Sequence, residues 1–299
     1  MTRHKILYNT VIVLTCIVFI IGLSMLLYPL FGNIWNEHRH AKLISGYTEE
    51  ISRNAEKEDY SEIFRAAYEY NENLVGGKVP DVFAFPTVED DENYMKCLSF
   101  RDDGIMGYIS IPRIDLNLPV YHTTSREVLE KGVGHLQGSS LPVGGESTHC
   151  VLSAHRGLPS AALFTDLNLL DMGDRFYIHI LDEILAYEID QILIVEPTQT
   201  ESLAVFEGED YVTLMTCTPY GINTHRLLVR GHRVEYDPEI LAEDESGESL
   251  SSLHTRYGLW AGGGLLITII FIAVMYILLR KPLAVRRVIK RIISIKHKT

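Results

Sequence analysis

Two long runs without a single charge bound what this chain can be: ILYNTVIVLTCIVFIIGLSMLLYPLF from Ile6 to Phe31, and YGLWAGGGLLITIIFIAVMYILL from Tyr257 to Leu279. Each is long enough to cross a bilayer as a helix, which needs about 20 apolar residues. Arg3, His4 and Lys5 precede the first run, so a secretory signal is the competing reading. A signal's apolar core is only about 7–15 residues, and no small-x-small cleavage site precedes the polar NEHRHAK; the run therefore reads as an uncleaved anchor. The second run is followed by RKPLAVRRVIKRIISIKHKT, which carries eight Lys or Arg and no acid. Positive flanks mark the cytoplasmic side, so both termini are expected inside and residues 32–256 outside.

That external part holds all 39 acidic residues against 17 basic ones, a net charge of −22. Nucleic acid is excluded as a partner, because its binding rests on Lys and Arg neutralising phosphates. The acidic surface serves solubility, and the basic tail fixes topology and meets anionic lipid. Of the four cysteines, Cys16 lies in the first span and Cys97, Cys150 and Cys217 lie outside. Three are too few and too irregularly spaced for a disulfide scaffold or a zinc site. Counting leaves a Cys97–Cys150 bridge open, but even that bridge would leave Cys217 unpaired outside the cell.

Within the external part, 32–78 read as a helical stalk, with Leu43, Ile44, Ile51, Ile63, Phe64 and Ala67 apolar among charges and a stop at Gly76 and Gly77. A Pro-bounded acidic stretch over 79–101 follows. From 102 to 236 the pattern changes to short β-branched or aromatic runs divided by turns, among them IMGYISIP, THCVLSAH, DYVTLMTC and HRLLVRGHRVEY. Seven or eight such strands predict an all-β barrel or sandwich. A short helix is expected at Ser160 to Leu170. The acidic, Ser-rich 237–256 read as a tether to the second span, 257–279, and 280–299 as the basic tail.

Cys217 closes the strand-like YVTLMTC and precedes the turn-rich TPYGIN, a place where a scaffold presents reactive groups. By position alone a buried, inert structural cysteine is the more economical reading. Two other strand-end residues shift that balance: His155 after VLSA, and Arg226 at the start of HRLLVRG. A thiolate stabilised by neighbouring cations is a nucleophile. A histidine can protonate a leaving amine and later deprotonate an incoming one. An arginine can hold carbonyls or an oxyanion. Strand alternation sends His225 and Arg226 to opposite faces, and Arg226 is the one expected at the site.

TLMTC with an arginine nine residues on, together with SAHRG upstream, resembles the sortases, the cysteine transpeptidases of Gram-positive surfaces. The likeness runs from about Gly107 to Tyr236, through IPRIDLNLPVYH, GVGHLQGSSLPVGGESTHCVLSAHRGLP, LFTDL, GDRFY and VTLMTCTPYGINTHRLLVRGHR. Two spans and long helices before the barrel are similar to the class C, pilus-assembling subgroup. The resemblance implies a closed eight-stranded β-barrel with N-terminal helices, flanked by two transmembrane helices, and an enzyme that needs no cofactor. It implies Cys217 as nucleophile, His155 as general acid and base, and Arg226 as substrate-binding or stabilising group. It further implies a pilin substrate with an LPXTG-like sorting signal and a lysine amine on another pilin as acceptor. In class C sortases an Asp-Pro-aromatic triplet plugs the site as a lid; here KVPDVFAFP sets Asp81, Val82 and Phe83 in that place, with Val where Pro is expected and φ therefore unfixed.

Seven histidines between residues 102 and 236 invite a metal reading, yet none has HxxxH or paired-cysteine spacing, so no metal is expected. The EDDE run from Glu89 to Glu92 reads as a solvated loop rather than a calcium site. Three other functions fit the same residues: a sortase that attaches surface proteins to peptidoglycan, a hydrolytic cysteine protease, and a non-enzymatic adhesin or scaffold tethered to the membrane.

Overall fold

The computed structural model describes residues 2–54, 59–74, 91–251 and 258–276. Asp81 and Phe83, the lid residues the resemblance implies, lie outside the described residues. The chain divides into two compact units, one of residues 1–30 with 253–299 and one of residues 31–252.

In the first unit, the apolar start of helix α1 (Thr2–Asn54) and the apolar helix Gly258–Tyr276 are both long and apolar enough to cross a membrane. They pack on each other through stacked Phe19 and Phe271, whose ring centroids are 3.7 Å apart. Gly264 lies against Leu27, where a Cβ would come within 3.0 Å of the leucine side chain.

The second unit is a closed eight-stranded barrel with helices laid against it. Its strands are β1 (Ile105–Ile111), β2 (Leu116–Tyr121), β3 (Val133–His135), β4 (Thr148–Ser153), β7 (Arg175–Ile180), β8 (Glu183–Val195), β9 (Asp210–Thr218) and β10 (His225–Val234). They close in the order β1-β2-β3-β4-β9-β10-β8-β7. A separate hairpin, β5 (Arg156–Leu158) and β6 (Ala161–Leu163), stands off the wall. Most neighbours are antiparallel, but β2 with β3 and β4 with β9 are parallel. The barrel is the eight-stranded one that the resemblance implies. The helix expected at Ser160 to Leu170 is instead β6 followed by a 3-10 turn over Phe164–Leu169. Leu163, at φ 43°, breaks a helical path before Phe164.

Alternation fills the interior. Ile109, Ile111, Val120, Leu152, Phe176, Ile178, Leu214 and Val229 are all buried in one apolar cluster. The later part of α1 and α2 (Ser61–Asn73) add Tyr47, Ile51, Phe64 and Ala67 to that cluster. The Tyr47 hydroxyl donates to the Met106 carbonyl at 3.1 Å and accepts from the Leu181 N–H at 2.7 Å. The short helix α3 (Glu92–Lys96) is capped by Asp91, whose carboxylate accepts from the N–H groups of Asn93 and Tyr94. It delivers fully buried Tyr94 to a bond with His135 Nδ1 at 2.9 Å. Cys97 and Cys150 are both free thiols. Past the barrel, α5 (Pro238–Ser246) starts at an Asp237 cap within the stretch that reads as a tether.

Gly107 in β1 sits where the β1–β2 register shifts, and a Cβ there would lie 2.2 Å from the His179 carbonyl oxygen of β7. Backbone cannot yield as a side chain does. Gly107→Ala is expected to lower the unfolding free energy by about 1–3 kcal/mol, read by denaturant titration of the full chain in detergent micelles.

Three histidines, His135 and His149 buried and His179 half-buried, bind as neutral rings. His135 Nε2 donates to the Ser140 carbonyl, His149 Nδ1 to the Ala204 carbonyl, and His179 Nε2 bonds the Ser110 hydroxyl. Burial is the chief cause that pushes each down to about 4 from an ordinary 6.5. Each ring therefore binds its proton more readily in the unfolded chain, so stability is full above about pH 6.5 and is lost as pH falls towards 4. With three protons taken up on unfolding, the slope approaches about 4 kcal/mol per pH unit. Unfolding free energies measured from pH 7 to 4.5 would check this; a flat profile would contradict it.

Candidate active site

Strand β9 has two differently covered faces. Val212 and Leu214 point into the barrel with Leu227 and Val229 of β10 and with Cys150, Leu152 and Ala154 of the β4 run. Met215, Leu228 and Val151 form a second apolar cluster with Leu136 and Leu203, against which Leu193 and Val195 pack. Cys217 lies two residues beyond Met215 and Arg226 two before Leu228, so alternation sets both on this second, outer face. They are direct partners across the antiparallel β9–β10 ladder. Side chains of such a pair stand side by side, about 4.5–5.5 Å apart at Cβ.

His155 reaches the same place from the other side of β9. Strand β4 runs parallel to β9 with Ser153 opposite Met215. Continued two residues, that register sets His155 level with Cys217. Two hydrogen bonds hold the continuation: the Ala154 N–H donates to the Met215 carbonyl at 3.3 Å, and the Thr216 hydroxyl to the Ala154 carbonyl at 2.8 Å. The structure thus gathers Cys217, His155 and Arg226 at one end of three adjacent strands, β4, β9 and β10.

Arg226 is 8% exposed and so is Cys217, whereas His155 is half-buried. The Arg226 guanidinium donates through one nitrogen to the carbonyls of Asn223 at 3.3 Å and His225 at 3.2 Å. Asn223 takes φ 63° in the turn after Cys217, and its N–H bonds the Pro219 carbonyl at 3.0 Å, which folds the loop back beneath the guanidinium. His225 faces the other way and bonds the Thr224 hydroxyl through Nδ1 at 2.9 Å. Burial lowers the His155 pKa, with Glu130 opposing and Arg126 reinforcing that fall. At neutral pH the imidazole is therefore uncharged, an acceptor for a thiol proton.

Beside Arg226 a small cleft is lined by Val195, Thr200, Leu203, Met215, Leu228 and Arg226 itself. Its outer wall is the β8–β9 connection, which His149 pins from below. Nδ1 donates to the Ala204 carbonyl and Nε2 accepts from the Thr213 hydroxyl, each at 2.8 Å. Sequence reasoning passed over Thr216, His149 and Arg156. The Arg156 guanidinium donates to the Thr218 hydroxyl at 3.2 Å, the Thr165 carbonyl at 3.1 Å and Asn168 Oδ1 at 2.6 Å. SAHRG contains that arginine, and its place beside His155 is the one signal that could have singled it out.

Residues 109–234 match the family model of the sortase domain. Sortase D of Bacillus subtilis (strain 168) is 31% identical over 131 residues, 43% of this chain and 63% of its own length. The chain spans less than two thirds of the length of the curated relatives it matches. Among solved structures, sortase C of Streptococcus pneumoniae superimposes with a TM-score of 0.59 at 43% identity, covering 65% of this chain and 97% of the other. Sortase C1 of Streptococcus agalactiae gives 0.59 at 46% identity, covering 66% and 100%. With the barrel, its strand order and a cysteine and an arginine paired across one rung, these likenesses show that the chain belongs to the sortase family.

Proposed function

We propose that this chain is a membrane-anchored class C sortase that joins pilin subunits. The pairing of Cys217 with Arg226 across one rung, with His155 two residues past the end of the neighbouring strand, carries the reading. The pneumococcal sortase C, described with pilin substrate specificity, supports the subgroup. Both apolar helices serve as anchors, with the termini inside and the barrel outside the cell.

In this mechanism the Cys217 thiol gives its proton to neutral His155, and the thiolate attacks the Thr carbonyl of an LPXTG-like signal in the cleft. Arg226 holds the carbonyl oxygen as negative charge develops on it. The Thr–Gly bond breaks, and the His155 imidazolium hands its proton to the departing glycine amine. A thioacyl enzyme remains on Cys217. The lysine amine of a second pilin then attacks, His155 takes the amine proton, and the thiol leaves an isopeptide bond behind. The lid role of acidic Asp81 and aromatic Phe83 belongs to the same proposal.

The full chain in detergent micelles, given an LPXTG peptide and a lysine-bearing peptide, is expected to yield an amine-dependent isopeptide product and a thioacyl adduct visible by mass spectrometry. Cys217→Ala abolishes both. Arg226→Lys lowers kcat/KM by at least about 100-fold with the fold retained, because a point charge cannot replace the planar fork. Product formation by Cys217→Ala removes the nucleophile. Peptide cleavage unaffected by the amine makes the enzyme a protease, and a product formed only with a peptidoglycan-type amine makes it a wall-anchoring sortase.

A further inference from the structure

His155 is the least supported member of the constellation. Strand β4 ends at Ser153, and the residue after His155 opens the β5–β6 hairpin, which belongs to no larger sheet. A two-stranded hairpin is marginal alone, so its position is set by what it packs against. On the barrel side Arg156 ties it to Thr218, and the Phe164 N–H donates back to the His155 carbonyl at 3.1 Å. The tip of the hairpin, at Ser160, meets a different partner.

That partner is α1, beyond its apolar run. Gly32, Asn36 and His40 recur every four residues and so share one face of the helix. Asn36 Nδ2 donates to the Ser160 carbonyl at 2.6 Å. A Cβ on Gly32 would stand 3.1 Å from Ser160 Cα and 3.2 Å from its carbonyl oxygen, tighter than side chains normally pack. One turn further on, His40, 5% exposed, donates through Nε2 to the Lys131 carbonyl at 2.9 Å. Lys131 follows Glu130 at the end of α4 (Arg126–Leu129), the helix whose Glu130 and Arg126 act on the His155 charge. The same helical stripe therefore grips both segments that flank His155. A glycine inside a helix is unfavourable without such a reason.

We infer that the Gly32–Asn36–His40 face of α1 is a positioning surface for His155, clamping the hairpin tip so that the imidazole stays level with Cys217. The inference rests on the role given to His155 above. The helix that continues the membrane anchor would thereby be part of the active-site scaffold. Loosening the clamp displaces a proton-transfer group without touching the peptide cleft, so turnover suffers and peptide binding does not.

The test uses the full chain in detergent micelles with Gly32→Ala, Gly32→Val and Asn36→Ala. Each is expected to lower kcat of the amine-dependent reaction about 10-fold with peptide KM within about 2-fold. Hydrogen exchange of amides in residues 156–164 is expected to rise about 10-fold while the barrel strands keep their protection. Gly32→Ala is the sharpest arm. It improves helix propensity, so Tm holds or rises while turnover falls. If Gly32→Val lowers Tm, Asn36→Ala decides. Wild-type turnover and exchange in Asn36→Ala and Gly32→Ala overturn the inference. So does a fall in kcat with hairpin exchange unchanged, or a rise in exchange spread over the whole barrel. A wild-type chain that forms no thioacyl adduct refutes the transpeptidase reading instead, and the exchange measurement still decides whether the clamp exists.

Discussion

The parallel pairing of β4 with β9 is the constraint from which the rest follows. It sets two strands that are distant in sequence side by side with their ends at the same level, Ser153 beside Met215. Parallel neighbours need a long crossover, and here the chain between them carries the hairpin, β7 and β8. That excursion closes the other half of the barrel and returns β8 to the far side of β10. Any one-residue slip in the pairing would turn Met215 and Cys217 into the interior and Leu214 out of it. The apolar alternation that builds the core therefore also fixes which face the thiol occupies. Fold and site share one register.

The outer face is covered unevenly. Near the middle of β9 and β10 the second apolar cluster seals it under Leu203 and Leu136, while at the Cys217 end the cover gives way to a cleft. His149 makes that boundary firm, because the ring bridges the β8–β9 connection and β9 from within. A ring that donates at one nitrogen and accepts at the other must stay neutral. Its depressed pKa and its bridging role have the same origin in burial. The wall beside Arg226 is thus apolar on its face and held from within by neutral polar groups that satisfy one another.

Much of this was legible beforehand. Alternating apolar runs with turn residues between them identify the strands from IMGYISI to HRLLVRG, and strand-end placement singles out Cys217, His155 and Arg226. Alternation allows only one of His225 and Arg226 to face the site, and the ladder sets Arg226 opposite Cys217. What periodicity cannot reveal is pairing at a distance. Nothing in VLSAH or VTLMTC says that the two strands lie parallel, so Thr216 and its bond to the Ala154 carbonyl stayed hidden. LFTDLNLL was read as a helix because its spacing is helical; the local backbone at Leu163 and the pairing of β6 with β5 override that preference. In the sequence Gly32 is merely the first residue past the apolar run. Its use as a contact becomes visible only when Ser160 arrives from 128 positions away.

The two ends of β9 are held differently. At its start the half-buried charge of Asp210 is bound by the Gly145 N–H at 2.9 Å and the Tyr187 hydroxyl at 3.0 Å, with Arg233 at 4.0 Å. Burial raises the Asp210 pKa in spite of these partners, so the group resists ionisation and leans on them when it does ionise. Such a network is worth most when complete, which makes this end of the strand rigid. The strand is anchored at its start, and its opposite end holds the Cys217 thiol at a fixed level between two neighbours. One of those neighbours, β10, belongs to the same closed barrel. The other ends two residues short of its histidine, and the last stretch is carried by the hairpin and the helix beneath it.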